Sequence, residues 1–206
     1  MRRYREIVFT PAVEAMQEAR GSRALYARPS TAPMPDGLTD DEREFVAQRN
    51  SFYVASINAN GWPYIQHRGG PRGFVKVVGP ARLAFADYAG NRQYLTTGNL
   101  IEDDRVSLFF MDYVERVRLK MFARARTVEH DDAPSELLAA VVDEAYHAKV
   151  ERVFVFDVES TSWNCPQHIA QRYDDEELAE QLAPLQARIA ELEAQLRRAS
   201  VLTGNS

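Results

Sequence analysis

Apolar residues recur along this chain with two periods, and the period changes at recognisable signals. Residues 10–20, "TPAVEAMQEAR", read as a short helix, with Thr10 as its cap and Pro11 at the first helical position. The proline-rich stretch 28–38, "RPSTAPMPDGL", reads as an extended connector. "TDDEREFVAQRN" then opens with a capping box, Thr39 followed three residues later by Glu42. After it the β-formers take over. "SFYVASI" and "WPYIQHR" predict two strands, and the "NANG" between them ends in Asn60-Gly61, the pair that type I′ hairpin turns favour. "GFVKVV" and "ARLAFADY" form a second pair, joined by Gly79-Pro80. "NRQYLTTGNLIEDD" shifts to a helical period and ends in a turn, and the unbroken apolar run of "RVSLFFMDY" predicts a central strand.

"RVRLKMFARARTVEH" alternates. Arg116, Arg118, Lys120, Arg124 and Arg126 share one parity; Val117, Leu119, Met121, Ala123 and Ala125 share the other. "APSELLAAVVDEAYHAKV" reads as a helix and "ERVFVFDVES" as a strand. Strands cluster, helices stand at the margins, and no βαβαβ rhythm is present. The expected fold class is therefore mainly β (α+β), a mostly antiparallel barrel with peripheral helices. From Asp174 the pattern changes again. Leu178, Leu182, Leu185, Ile189, Leu192 and Leu196 step by alternating fours and threes, a heptad seam with Pro184 as its one defect. The predicted organisation is a globular domain over 1–173 and a C-terminal helix over 174–206, a possible coiled coil. The coil proper is expected to start at Pro184, with a separate first turn or two before it.

Composition narrows the function. A hydrophobic content of 45% with 27% charged residues fits a soluble globular protein. The net charge of −5 has the wrong sign for a typical nucleic-acid binder. No apolar run approaches the roughly 20 residues of a membrane span, and the basic start "MRRYREIVF" lacks an apolar signal core. One cysteine, Cys165, excludes an internal disulfide and a Cys-rich metal cluster. It has no evident base beside it to make it a nucleophile. A cytoplasmic protein without a metal site is expected.

Four stretches carry candidate chemistry. "QHRGGPRGFVK" places Gln66, His67, Arg68 and Arg72 around the bare backbone of Gly69-Gly70, with Lys76 further along; a solvated bulge would read the same way. "AGNRQYLTTGN" sets Asn91, Arg92 and Gln93 where a strand gives way to a helix, with Asn99 closing the stretch. A helix N-terminus beside an arginine fork suits a phosphate, and a plain capped helix is the alternative. The cationic parity of residues 116–126 is either solvated or faces an anion. "WNCPQHIAQRY" gathers Trp163, His168 and Arg172 near the end of the globular part.

"GWPYIQHRGGPRGF", "LAFADYAGNRQYLTTGNL", "DRVSLFFMDY" and "WNCPQHI" together resemble the flavin-nucleotide-binding branch of the pyridoxamine 5′-phosphate oxidase-like superfamily, over residues 9 to about 173. The resemblance implies a split β-barrel that binds FMN as a homodimer, with the flavin in clefts between the subunits. It implies that Gln66, His67 and Arg68, with the Gly69-Gly70 break, line the isoalloxazine, and that Lys76 and the Ala86-Asp87 backbone lie close to it. It matches Asn91, Arg92 and Gln93 to a Ser-Arg-Lys phosphate clamp, here short of one charge because Gln93 replaces the lysine. Arg118 falls where the oxidases carry a glutamine, and Trp163 and Arg172 match a tryptophan and an arginine near the cofactor. The oxidases' substrate-grasping residues are not recognisable. The function this implies is an FMN-dependent oxidoreductase acting on a small substrate or a nicotinamide. A flavin-binding sensor or carrier without turnover, or the same barrel holding haem or deazaflavin, is the alternative.

Overall fold

The structure, a computed structural model, describes residues 1–27, 33–164 and 166–203, with side chains as far as residue 198. Part of the expected connector, 28–32, and Cys165 lie outside the described residues. The chain divides into two units, Met1–Asp112 with Val117–Pro166, and Tyr113–Arg116 with Gln167–Ser206.

In the first unit, α1 (Tyr4–Val8), α2 (Pro11–Ala19) and α3 (Arg23–Tyr26) precede α4 (Asp40–Ala47). The Thr10 hydroxyl accepts the Val13 N–H at the head of α2. At α4 both arms of the capping box form: Thr39 Oγ1 accepts from the Glu42 N–H at 3.3 Å, and the Glu42 carboxylate accepts from the Thr39 N–H at 2.9 Å. There follow β1 (Ser51–Ile57), β2 (Pro63–Gly69), β3 (Lys76–Gly79), β4 (Arg82–Tyr88), α5 (Leu95–Glu102), β5 (Arg105–Asp112), β6 (Val117–Glu129), α6 (Ser135–Val141) and β7 (Val150–Asn164).

The strands form one antiparallel sheet in the order β2-β1-β5-β6-β7-β4-β3. Alternation sends Phe52 and Val54 of β1, Leu108 and Phe110 of β5, Leu119 and Met121 of β6, and Phe154 and Phe156 of β7 to one buried face. Phe52 sits among the rings of Phe110, Phe85 and Phe74, at 4.9, 5.5 and 5.9 Å. Each such ring contributes about 1.5–3 kcal/mol by leaving water. On the other face of β4 and β7, the small side chains Ala84, Ala86, Val153 and Val155 leave room for α6, which packs Leu137, Leu138 and Val141 there. The sheet curls without closing. β2 and β4 share no ladder, yet Arg68 of β2 reaches Asp87 of β4 at 2.7 Å across the gap. That gap is the split of the barrel.

Several expectations need correction, among them the strand expected over 73–78, which begins only at Lys76. The β1–β2 connection is not a type I′ turn, because that turn needs two positive φ values and of its pair only Gly61, at +80°, has one. Asn58 organises a longer loop instead, its Oδ1 accepting the N–H groups of Asn60 and Trp62, both at 3.0 Å. The helix expected through residue 150 stops at Val141. Beyond it Asp143 accepts the Ala145 N–H at 2.9 Å, a local bond that competes with the helical ladder. Strand β7 runs on to Asn164, past the expected end at Ser160, because β6 is long enough to pair with it as far as Arg118.

In the second unit, Gln171 Nε2 donates to the Val114 carbonyl at 2.9 Å, and the Arg172 guanidinium lies over the Tyr113 ring at 5.3 Å. Asp174 and Glu177 cap each other's N–H groups at the head of α7 (Asp175–Thr203). α7 runs unbroken through Pro184, where a start to the coil was expected.

Candidate functional site

Alternation along β2 turns Tyr64, Gln66 and Arg68 toward the barrel split, and Ile65, His67 and Gly69 to the opposite face. Across the split stand Asp87, near the end of β4, and Glu151-Arg152, at the start of β7. The loop 89–94 and the first turn of α5 complete the walls. These elements enclose a cleft of about 210 Å³. Of the sequence-predicted site residues it gathers Gln66, Arg68, Asp87, Asn91, Arg92 and Gln93.

The floor is a buried charge cluster. Arg68 pairs with Asp87 at 2.7 Å and lies over the Phe154 ring at 4.9 Å. Arg152 stands 3.8 Å from Asp87, 3.1 Å from Glu129 and 3.5 Å from Glu151, and rests over the Tyr94 ring at 4.7 Å. Burial pushes the Asp87 carboxyl up, against the pull of Arg68 and Arg152. Burial also lowers the Arg68 guanidinium, against the pull of Asp87. For Arg152 burial again acts downward, but Glu129 and Asp87 outweigh it and the net shift is upward. Desolvation thus dominates at the Arg68–Asp87 pair, so removing either partner would strand the other's charge. Arg68 Nε is buried in this wall without a hydrogen-bond partner.

The rim is built differently. Arg92 and Tyr94 adopt left-handed backbone, with φ of +60° and +53°. Such values are uncommon outside glycine, and they concentrate at functional loops. Asn91 Oδ1 holds the bend by accepting the Gln93 N–H at 3.1 Å. Tyr94 stands where a helix cap would stand, and no side chain caps α5. The first turn of α5 therefore offers its N–H groups and the positive end of its dipole to the cleft. Arg92 Nε donates to the Tyr94 hydroxyl at 3.3 Å, and that bond raises its pKa. α5 is pinned by two further bonds: Thr96 Oγ1 to Gln66 Oε1 at 2.7 Å, and Asn99 Nδ2 to Ser56 Oγ at 2.9 Å. Asn99 thus positions the helix from behind. The arrangement is a rim of backbone N–H groups and the Arg92 guanidinium above a floor of paired charges.

The other predicted residues stand elsewhere. His67 meets the Tyr53 ring edge-on on the outer face of β2. Gly70 donates its N–H to Asn50 at 3.0 Å, and a Cβ there would lie 2.7 Å from the Phe74 ring; a Cβ on Gly69 would meet His67 at 3.1 Å. The bareness of Gly70 therefore serves core packing. Ala86 lies under α6, and Lys76 is on β3, where it lines a shallow groove with Arg82 and Arg126. Arg118 is opposite Met111 and Asn164 on the outer face of β6, and Trp163 meets Phe45 edge-on at 4.9 Å. His168 and Arg172 belong to the second unit. The basic parity of β6 is partly paired, Arg124 with Asp104 and Glu159, Arg126 with Asp157. Tyr64, Tyr94, Glu151 and Arg152 are cleft residues that sequence reasoning missed. Nothing local marks Arg152, which heads the apolar run "RVFVF" directly after Glu151. Among the described residues no cluster of histidine, cysteine and carboxylate side chains is placed to hold a metal ion.

A sequence profile described as pyridoxamine 5′-phosphate oxidase matches residues 38–164. No curated protein matches the chain. Among solved structures, HupZ of Group A Streptococcus is 14% identical, with a TM-score of 0.50 over 66% of this chain and 100% of that one. A putative pyridoxamine 5′-phosphate oxidase from Lactobacillus delbrueckii is 22% identical, covering 61% of this chain and 93% of its own, with a TM-score of 0.46. An FMN-binding protein from Syntrophomonas wolfei is 13% identical, covering 73% and 97%, with a TM-score of 0.47. At these identities the likeness is one of fold.

Proposed function

The chain belongs to the pyridoxamine 5′-phosphate oxidase family, and on that premise we propose that it binds FMN at the barrel split and serves as a flavin-dependent oxidoreductase. The observation that carries this reading is the uncapped N-terminus of α5, entered through left-handed Arg92 and Tyr94 and opening on the cleft. Backbone N–H groups, a helix dipole and an arginine fork converge there, the donor set that a phosphate dianion needs. Gln93 brings no charge, so the rim relies on Arg92 and on backbone. The floor suits a polar heteroaromatic ring: Gln66 is oriented by Thr96, and Arg68 adds a cation with one N–H, at Nε, that has no partner. No histidine, cysteine or methionine lines the cleft, so of the usual axial ligands for haem it offers tyrosine alone.

The size of the cleft bears on assembly. About 210 Å³ is less than the roughly 300–1,000 Å³ of a complete small-molecule pocket. One chain covers part of a flavin nucleotide, and a second copy would cover the rest. The outer edge of the first hairpin supports this, with Trp62 73% and Ile65 64% exposed. In such a homodimer the outer-face Arg118 would be supplied to the neighbouring cofactor.

When bound, FMN supplies hydride or electron transfer to or from a small substrate or a nicotinamide. The chain's own residues bind and orient: Arg92 and α5 hold the phosphate, Gln66 and Arg68 meet the ring, and the Arg68–Asp87 pair closes the barrel floor against water. The test is the absorption spectrum of the purified protein, with the mass of whatever acid releases. Flavin bands and the mass of FMN are expected. Haem bands, deazaflavin bands, or a colourless protein that FMN does not change would overturn the cofactor. Steady reduction by NADH or NADPH separates an oxidoreductase from a carrier that merely holds the flavin.

A further inference from the structure

The longest helix is outside the matched family region and takes no part in the cleft. Along α7, Leu178, Leu182, Leu185, Ile189, Leu192 and Leu196 form one stripe, and all six are exposed, Leu185 at 60% and Leu196 at 67%. Their spacing makes Leu178, Leu185 and Leu192 the d positions of a heptad and Leu182, Ile189 and Leu196 the a positions. Pro184 then falls at a c position, on the side away from the seam, so the helix keeps its stripe intact through the proline. A continuous apolar seam of this kind is stable when another helix covers it.

The flanking residues say which helix. Gln181, Arg188 and Gln195 occupy g positions, and Ala179, Gln186 and Glu193 occupy e positions. In a parallel, in-register pair each g residue faces the e residue five places on in the other chain. Arg188 then faces Glu193 of the second copy, twice by symmetry, and Gln181 faces Gln186. An antiparallel pair matches the apolar layers equally well, with Leu178 against Leu196, Leu182 against Leu192 and Leu185 against Ile189. It also brings the two copies of Arg188 together and leaves Glu193 opposite Ala179. Sliding the helices by one heptad relieves that clash but leaves Leu178 and Leu182, or Leu192 and Leu196, without leucine or isoleucine opposite. Within the single chain Arg188 pairs with Glu191, and Arg197 with Glu193 at 3.7 Å. Both are exposed pairs of the kind that exchanges readily, each worth about 0–1 kcal/mol. Ile189, one of the three a residues, has the β-branched side chain that favours two strands where leucine fills d.

We infer that α7 is a self-recognition element that pairs with α7 of a second copy as a parallel, in-register two-stranded coiled coil, with Arg188 and Glu193 setting its direction. About three heptads are marginal alone, so the coil reinforces an association rather than driving it. The inference stands whether or not the cleft holds FMN.

Directional cross-linking in the full-length protein tests it. With Cys165→Ser as background, Leu192→Cys places one thiol per chain at a d position. In the parallel pair the two thiols face each other; in the antiparallel pair each faces Leu182 of the second copy. Mild oxidation is expected to give covalent dimer from Leu192→Cys at a yield about tenfold above that from Glu191→Cys, which points outward from the seam. Arg188→Glu should reduce that yield, and Arg188→Glu combined with Glu193→Arg should restore it. Two outcomes overturn the inference. One is cross-linking only when Leu182→Cys and Leu192→Cys chains are mixed, which makes the pair antiparallel. The other is equal, low yields at residues 191 and 192, which means that α7 does not pair with its copy.

Discussion

Arg92 is an exposed cation at the rim of the cleft, held by one hydrogen bond to Tyr94 on a strained backbone. That makes it the clearest single test of the phosphate reading, because its loss removes ligand contacts without opening the core. Arg92→Ala should leave the thermal midpoint nearly unchanged and weaken FMN roughly tenfold to a hundredfold in a fluorescence titration. An unchanged affinity would remove Arg92 from the site. Arg68 differs in kind, since it is buried against Asp87 and its truncation would unsettle the floor before it informed on binding. At this scale the sequence was readable where motif and conformation coincide. Asn91, Arg92 and Gln93 stand at a strand-to-helix switch, and the fold brings them together with Gln66, Arg68 and Asp87. Arg152 was not readable as a site residue, because a cation in a strand ordinarily marks a solvent face. Only the pairing of β7 with β4 and β6 shows it opposite both Asp87 and Glu129.

Among the elements, β2 and the turn after it carry the most instructive division of labour. "QHRGG" reads as a loop shaped around a ligand, and part of it is: Gln66 and Arg68 face the cleft. Gly70 is bare for another reason, since Phe74 folds back over it into the aromatic core beside Phe52. Gly70→Ala should therefore cost about 1–3 kcal/mol of stability by chemical denaturation, from overpacking against Phe74, while FMN affinity stays within about twofold. The reverse pattern, stable protein with weakened binding, would assign Gly70 to the ligand. Element existence was legible from period wherever the period was long, as in β6 and α7. Ends were not. The stop of α6 at Val141 depends on an Asp143 side-chain bond, and the far end of β7 depends on the length of its neighbour, neither of which lies in the local apolar pattern. The same holds for Pro184, which sits outside the apolar seam and does not interrupt the helix.

For the whole molecule, the cleft residues all belong to the first unit and the heptad seam to the second. Deleting the seam therefore removes no residue of the cleft. Removing residues 175–206 should lower the thermal midpoint and shift the dimer to weaker association, while sedimentation at micromolar concentration still shows a dimer with FMN bound. A deleted protein that is monomeric and retains full flavin affinity would contradict the shared cleft. A mostly antiparallel barrel with peripheral helices was legible from clustered strands and marginal helices. The split itself was not, because it arises where β2 and β4 approach without a ladder, a relation between strands 19 residues apart at Arg68 and Asp87. The phosphate site proposed at α5 and Arg92 distinguishes FMN from the same ring without its phosphate. It is tested most directly by the affinities of FMN and of riboflavin, which carries the same ring and no phosphate. FMN is predicted to bind about a hundredfold more tightly or better, as expected when charge-assisted hydrogen bonds are lost, and Arg92→Ala should erase most of that advantage. Equal affinities for the two in the parent protein would contradict the account.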